Sequence, residues 1–361
     1  MIGFDTVAVF FAGHRFRLAI DHYSNPAQEK YVKEFGPEHA LAPSCGEETR
    51  IRIQHDESRF AEQLVSLAAS RSVTVVPFRG EPYLACRRGQ VAWWCPVPDS
   101  LLRPDHLYAR DATGRLTILL RPGAERGERY VMRVVREVAL RCAEHRGWAV
   151  FHAAAAALTD FGVLVAAPSG AGKTTVLTAL ATHLRADLVA SDRAAIAPDA
   201  GTVMGIPLSV RIGGGTLAAV SPRKGLPHAG TLPKVFGSAH KVALTPREFA
   251  AAFGCRVRET VPLRLIVVPR LHDDGTSLRV TALRAAQARS RLTDACCTPY
   301  DEDWLKPWFA DRLRPVGDLA RQATTIADRL VATVPVIEIT VGVHQPDLLA
   351  RIADAIAGKL R

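Results

Sequence analysis

Residues Ala167 to Thr175 read APSGAGKTT, a run whose residue types suit the cradling of phosphate. Gly170 and Gly172 let the backbone turn its amides toward an anion, and Lys173 supplies a cation for β- and γ-phosphates. The Thr174 hydroxyl is of the type that ligates Mg²⁺, and a helix starting here adds the positive end of its dipole. Pro168, Ser169, Ala171 and Thr175 complete the candidate nucleotide-binding stretch. Ala167 stands where the consensus has its first glycine, a change that is tolerated where φ is negative.

Two more residues bracket this loop. His152 lies twenty-one residues before Lys173, in FHAAAAAL, and Asp192 closes DLVASD, eighteen residues after Thr174. A carboxylate there can ligate Mg²⁺, accept the proton of an attacking hydroxyl, or simply cap a turn. A histidine near a γ-phosphate would donate to a phosphate oxygen or hold the base; on an alanine-rich strand it is otherwise core filling.

Positioning these groups requires a strand, a turn, a helix and a second strand. GVLVAAP reads as the first strand, KTTVLTALATHL as the helix with Val176, Leu177, Leu180 and Leu184 on one face, and DLVAS as the next strand. WAVFHAAAAAL before them, and LRLIVVPR and VPVIEITVG after them, read as further strands, with QPDLLARIADAIAGKL a closing amphipathic helix. The alternation predicts an α/β sheet with its ligand at the strand ends. RYVMRVVREVALRCAEHRG predicts a helix with Val131, Val134, Val135, Val138 and Cys142 on one side and Gly147 as its C-cap. That helix follows a hinge-like RPGAERGER and is expected to open a second domain over 126–361. The first 125 residues predict a small α+β domain: strands in TVAVFFAGHRFRLAI, VTVVPFRGEPYLACRRGQVAWWCPV and GRLTILL, and one helix near SRFAEQLVSLAAS.

Composition bounds the rest. A chain of 361 residues with 48% hydrophobic and 23% charged content has core enough for two domains. No apolar run reaches the roughly 18 residues of a membrane span, and the N-terminus lacks a basic leader region, so a cytoplasmic protein without a membrane partner is expected. Seven cysteines (Cys45, Cys86, Cys95, Cys142, Cys255, Cys296, Cys297), with no CxxC pair, argue for reduced thiols over disulfides or zinc. The net charge of +10 is a weak pointer to nucleic acid, because 38 of the 46 basic residues are arginines spread along the chain.

His152, the loop and Asp192, taken together, resemble the catalytic domain of HPr kinase/phosphorylase and its related kinases, over about Arg129 to Val343. In that family a histidine opens the strand before the loop, Lys173 and Thr174 match the loop's lysine and hydroxyl, and a strand ending in two acids supplies the base. Ser191 and Asp192 occupy those two positions here, and LRLIVVPRLHDDG matches a late strand of the relatives. The resemblance implies a P-loop kinase domain of HPr kinase/PEP carboxykinase-like type, ATP and Mg²⁺ as cofactors, and an alcohol group as acceptor. It implies catalytic roles for Asp192, His152 and Lys173, and metal ligation by Thr174 and Asp192. The acceptor it implies is a serine of a peptide or small protein, natural-product precursor peptides included, or a small molecule.

Two departures stand out. Ser191 replaces one of the paired acids, and residues 200–247 hold no acid at all, so the family's magnesium-binding glutamate is missing and phosphorolysis is in doubt. That segment is instead basic, with Arg211, Arg223, Lys224, Lys234, Lys241, Arg247, His228 and His240. Arg223 and Lys224, with Arg270, are the candidate acceptor-binding residues; a solvated basic face is the alternative. Trp93, Trp94 and Tyr83 are either recognition anchors or core of the N-terminal domain. A non-catalytic nucleotide-binding regulator is the competing function, and a homo-oligomer is compatible with everything above.

Overall fold

Ala12 and Gly13 both take positive φ, 54° and 63°, the two-residue turn whose twist matches the strands on either side. They join β1 (Phe4–Phe11) to β2 (His14–Asp21), and the alternation of HRFRLAID buries Phe16, Leu18 and Ile20 on one face. The computed structural model describes residues 3–21, 26–41, 48–78, 81–97, 104–124, 127–220, 226, 229–295 and 309–360. These form two compact units. The first comprises residues 1–33, 41–142 and 299–313; the second takes 34–40, 143–298 and 314–361.

After α1 (Pro26–Glu34), the first unit continues with β3 (Glu48–His55), α2 (Glu57–Ala68), β4 (Val73–Phe78), β5 (Glu81–Arg88), β6 (Val91–Pro96), β7 (His106–Arg110) and β8 (Leu116–Leu120). They make one eight-stranded sheet in the order β1-β2-β3-β8-β7-β6-β5-β4. Asp56 caps α2 by accepting from the Arg59 amide, and Phe60 and Leu67 of that helix pack on Cys95, Leu107 and Leu119. The helix α3 (Glu128–His145) buries Val131, Val134, Val135, Val138 and Cys142 as its spacing demands. Its residues through Cys142 belong to the first unit, so the division falls inside α3 and beyond residue 125.

The second unit opens with β9 (Ala149–Phe151), β10 (Ala153–Leu158), β11 (Phe161–Ala166), α4 (Lys173–Leu184), β12 (Asp187–Ala190), β13 (Ala194–Ile196) and β14 (Thr202–Gly205). Next come β15 (Val210–Gly213), α5 (Gly214–Ala218), β16 (Lys241–Leu244), α6 (Pro246–Phe253) and β17 (Thr260–His272). It ends with β18 (Arg279–Ala282), α7 (Ala285–Ala295), α8 (Val316–Thr333), β19 (Val336–Gly342) and α9 (Leu348–Leu360). β11, β17 and β19 run parallel at the centre of a mixed sheet, as the α/β reading expects. Helices cover both faces: α4, α6 and α9 pack on one, α7 and α8 on the other.

The five alanines of β10 serve both layers, Ala154 and Ala156 facing the first and Ala153, Ala155 and Ala157 the second. A strand buried on both sides shows no alternation. WAVFHAAAAAL is accordingly not one strand: it breaks at His152 into β9 and β10. Among the described residues, no helix is long and apolar enough to cross a membrane.

Candidate active site

β11 delivers the chain to the loop and α4 receives it. Gly170 and Gly172 take φ of 83° and 104°, values that side chains resist. At Gly172 space is also closed, since an added Cβ would lie 2.5 Å from Leu271 Cδ1 at the end of β17. Ala167 is absent from the positive-φ residues, which is why alanine serves where the consensus has glycine. The first helical hydrogen bond here runs from Val176 N to Gly172 O, leaving the amides before it free of intrahelical partners. Pro168, Ser169 and Gly170 are exposed, and Ala171 is half-buried.

Lys173 is buried at 6% exposure, and its Nζ donates to Ala167 O at 2.8 Å and Pro168 O at 3.0 Å. The ammonium is thus held on the loop it would serve. The half-buried Thr174 hydroxyl has no partner among the described residues. That of Thr175 is spent on Thr216 Oγ1 at 2.9 Å, tying α4 to α5.

His152 and Asp192 meet because the sheet changes partners twice at the same level. β9 pairs with β13 and β10 with β12, so His152 sits in one strand break and Ser191–Arg193 in the facing one. His152 Nε2 lies 2.8 Å from Asp192 Oδ1, with side chains 23% and 40% exposed. Burial pushes the Asp192 carboxyl up, but the His152 hydrogen bond and the charges of Arg193, His152 and Lys173 outweigh it and hold it at about 2. The aspartate is therefore ionised at any working pH, and the loop lysine is close enough to contribute.

Sequence reasoning passed over Arg193. It is 7% exposed, with Nη1 3.8 Å from Asp192 Oδ2, and only its position beside the aspartate hinted at it. Ser191 is buried and donates to Leu208 O and Ser209 O at 3.4 and 3.3 Å. A carboxylate there would face two carbonyl oxygens, so the position suits a hydroxyl donor and not an acid.

The remaining candidates scatter. Arg270 lies 3.8 Å from Glu338, which also holds Arg291 at 3.3 Å, so it is part of an ion-pair network rather than a free anion receptor. Arg223, Lys224 and His228 lie outside the described residues. Arg211 and Lys241 are exposed on the antiparallel β15–β16 pair, Lys234 and His240 are exposed, and Arg247 donates to Gly36 O and Pro37 O. In the first unit Tyr83 is fully buried and cannot anchor a ligand; Trp93 packs on the α2 core and Trp94 meets Phe309 edge-on.

No protein-family model matches this chain, and no curated protein matches it. Among the described residues no group of three or more His, Cys, Asp or Glu is gathered to hold a metal. The donors present suit a different arrangement, in which Mg²⁺ takes one carboxylate and one hydroxyl and completes its shell with phosphate oxygens and water. Asp192 and Thr174 would supply one carboxylate and one hydroxyl of that kind.

Proposed function

We propose that this chain is an ATP-dependent kinase that transfers the γ-phosphate to a hydroxyl, of a serine in a peptide or small protein, or of a small molecule. What carries the reading is the His152–Asp192 pair, set at a double strand break and within electrostatic reach of the loop lysine. A loop that only bound nucleotide would need neither residue. Bound Mg²⁺ would neutralise phosphate charge. Lys173 and the loop amides stabilise the equatorial oxygens of the transferring group.

The bond from γ-phosphorus to the bridging oxygen breaks, a bond to the acceptor oxygen forms, ADP leaves, and the acceptor proton passes to Asp192. With its pKa at about 2 the aspartate is a weak base, so this transfer belongs late, after a loose transition state has made the hydroxyl acidic. His152 holds the carboxylate's orientation, and its other ring nitrogen would donate to the γ-phosphate.

The test is radiolabelled γ-phosphate transfer to serine-containing peptides, with ADP release measured in parallel. Wild-type transfer that Asp192→Asn lowers by about 10²-fold or more, with nucleotide affinity little changed, supports a kinase. Tight nucleotide binding with no turnover by the wild type points to the regulator, a reading favoured by Ser191 in place of an acid.

A further inference from the structure

Among the described residues, the first unit's sheet ends in two edge strands without a further pairing strand, β1 and β4. β4 is blunted, because Pro77 offers no donor and the register against β5 shifts between Val75 and Phe78. β1 carries neither device. Its pairing with β2 runs unbroken from Phe4↔Asp21 to Phe11↔His14, and FDTVAVFF holds no proline, lysine or arginine. Such an edge is a template for another strand.

The turn decides which groups face out. A two-residue turn makes Phe11↔His14 a hydrogen-bonded pair, and the pairs alternate from there. Val9, Val7 and Asp5 therefore spend their backbone on β2. Phe10, Ala8, Thr6 and Phe4 point N–H and C=O away from the sheet.

The side chains of that same set share a face with arginines. Phe10 is in register with Arg15 and Glu48, Ala8 with Arg17 and Arg50, and Thr6 with Ala19 and Arg52. Glu48 answers Arg15 at 3.5 Å, Arg17 at 3.0 Å and Arg50 at 2.9 Å, while Arg52 lies over the Phe4 ring at 5.0 Å. Three arginines thus share one carboxylate, and Arg15, Arg17 and Arg50 remain 40%, 41% and 62% exposed. Thr6 and Ala8 are small and exposed, and they leave the arginines room to reach across β1.

We propose that β1 takes an extended acidic peptide as an added strand, its carboxylates set against Arg15, Arg17 and Arg50. An added residue opposite Ala8 would lie two strand spacings, about 10 Å, from the Arg17 backbone, within the joint span of arginine and glutamate side chains. A nucleic acid would use the charge and leave the row of N–H and C=O unanswered. A second copy would oppose one arginine face to another. The docking site is a property of the first unit and stands whether or not the second is a kinase.

The experiment is fluorescence anisotropy on the full chain at low ionic strength, with a labelled peptide of about ten residues alternating valine and glutamate. We expect saturable binding, weakened about tenfold or more by Arg17→Glu and comparably by Ala8→Pro, and none for the valine–lysine counterpart. Proline at residue 8 removes an outward N–H while leaving the β1–β2 ladder whole. On wild-type protein, bound peptide should slow amide exchange at Thr6, Ala8 and Phe10, a readout that needs no variant. Absence of saturable binding overturns the proposal. So does equal affinity for the lysine peptide, unchanged exchange in β1, displacement of the peptide by oligothymidylate with no strand protection, or self-association through β1 that the peptide does not reverse.

Discussion

In the first unit His106 Nδ1 lies 2.9 Å from Asp105 Oδ1; in the second, His152 Nε2 lies 2.8 Å from Asp192 Oδ1. The pairs are alike in chemistry and unlike in everything around them. Arg133 donates to the Tyr83 hydroxyl at 2.9 Å, and that hydroxyl lies 2.8 Å from His106 Nε2. The chain of donors then runs Arg133, Tyr83, His106, Asp105, which makes the imidazole neutral with its proton on Nδ1. Tyr130 stacks on the ring at 3.6 Å and donates to Asp105. Both ring nitrogens are used and the ring is fully buried, so nothing remains for a ligand.

His152 and Asp192 come together from forty residues apart, stay partly exposed, and make no second side-chain hydrogen bond among the described residues. A saturated pair holds a fold, and a pair with open valences near Lys173 is still able to meet a ligand.

Exchanging the acids for amides should separate these roles most sharply. Asp192→Asn is expected to cut phosphoryl transfer by about 10²-fold or more in a protein still fully folded at the assay pH. Asp105→Asn should do the reverse, leaving turnover of the folded protein intact and removing about 1–3 kcal/mol of stability. A fully active Asp192→Asn would erase the contrast.

Acidity sharpens it next. Burial pushes the His106 imidazole down from 6.5 to about 4, against the pull of Asp105, so between those values the unfolded chain binds the extra proton. Its contribution to stability is complete above pH 6.5 and declines as pH falls toward 4. That of Asp192 is complete above 3.8 and is lost only toward 2. Urea midpoints should therefore fall between pH 7 and pH 5, while NMR of the native protein shows His106 still neutral over that range. A midpoint flat over that range would mean the imidazole is not held neutral.

The loop's conformation and its flanking strand and helix were legible because local rules write them: positive φ demands glycine, and an apolar run on one helical face follows the turn. The break at His152 was not, since an all-alanine strand buried on both faces carries no period. The apolar stripe of α3 told that a face is buried and not which sheet it meets, hence its place in the first unit. Tyr83 read equally as anchor or core, because aromatics bury as readily as they bind. The Arg270–Glu338 contact and the pairing that brings Arg193 against Asp192 arise only from topology.

Ser191 should show the smallest effect. Its two hydrogen bonds are long and a methyl group fits the site, so Ser191→Ala is expected to cost under about 1 kcal/mol and leave transfer within about twofold. A large loss of rate would give the serine a chemical role and extend the open site by one residue.

The claim beneath the comparison is that the loop beside Asp192 is the nucleotide site, and calorimetric titration of Mg·ATP into wild type and Lys173→Ala tests it most directly. The account predicts one site per chain in the wild type, with affinity lowered by about 10²-fold or more in a variant whose circular dichroism is unchanged. Equal affinity in both proteins would place the nucleotide elsewhere and contradict it.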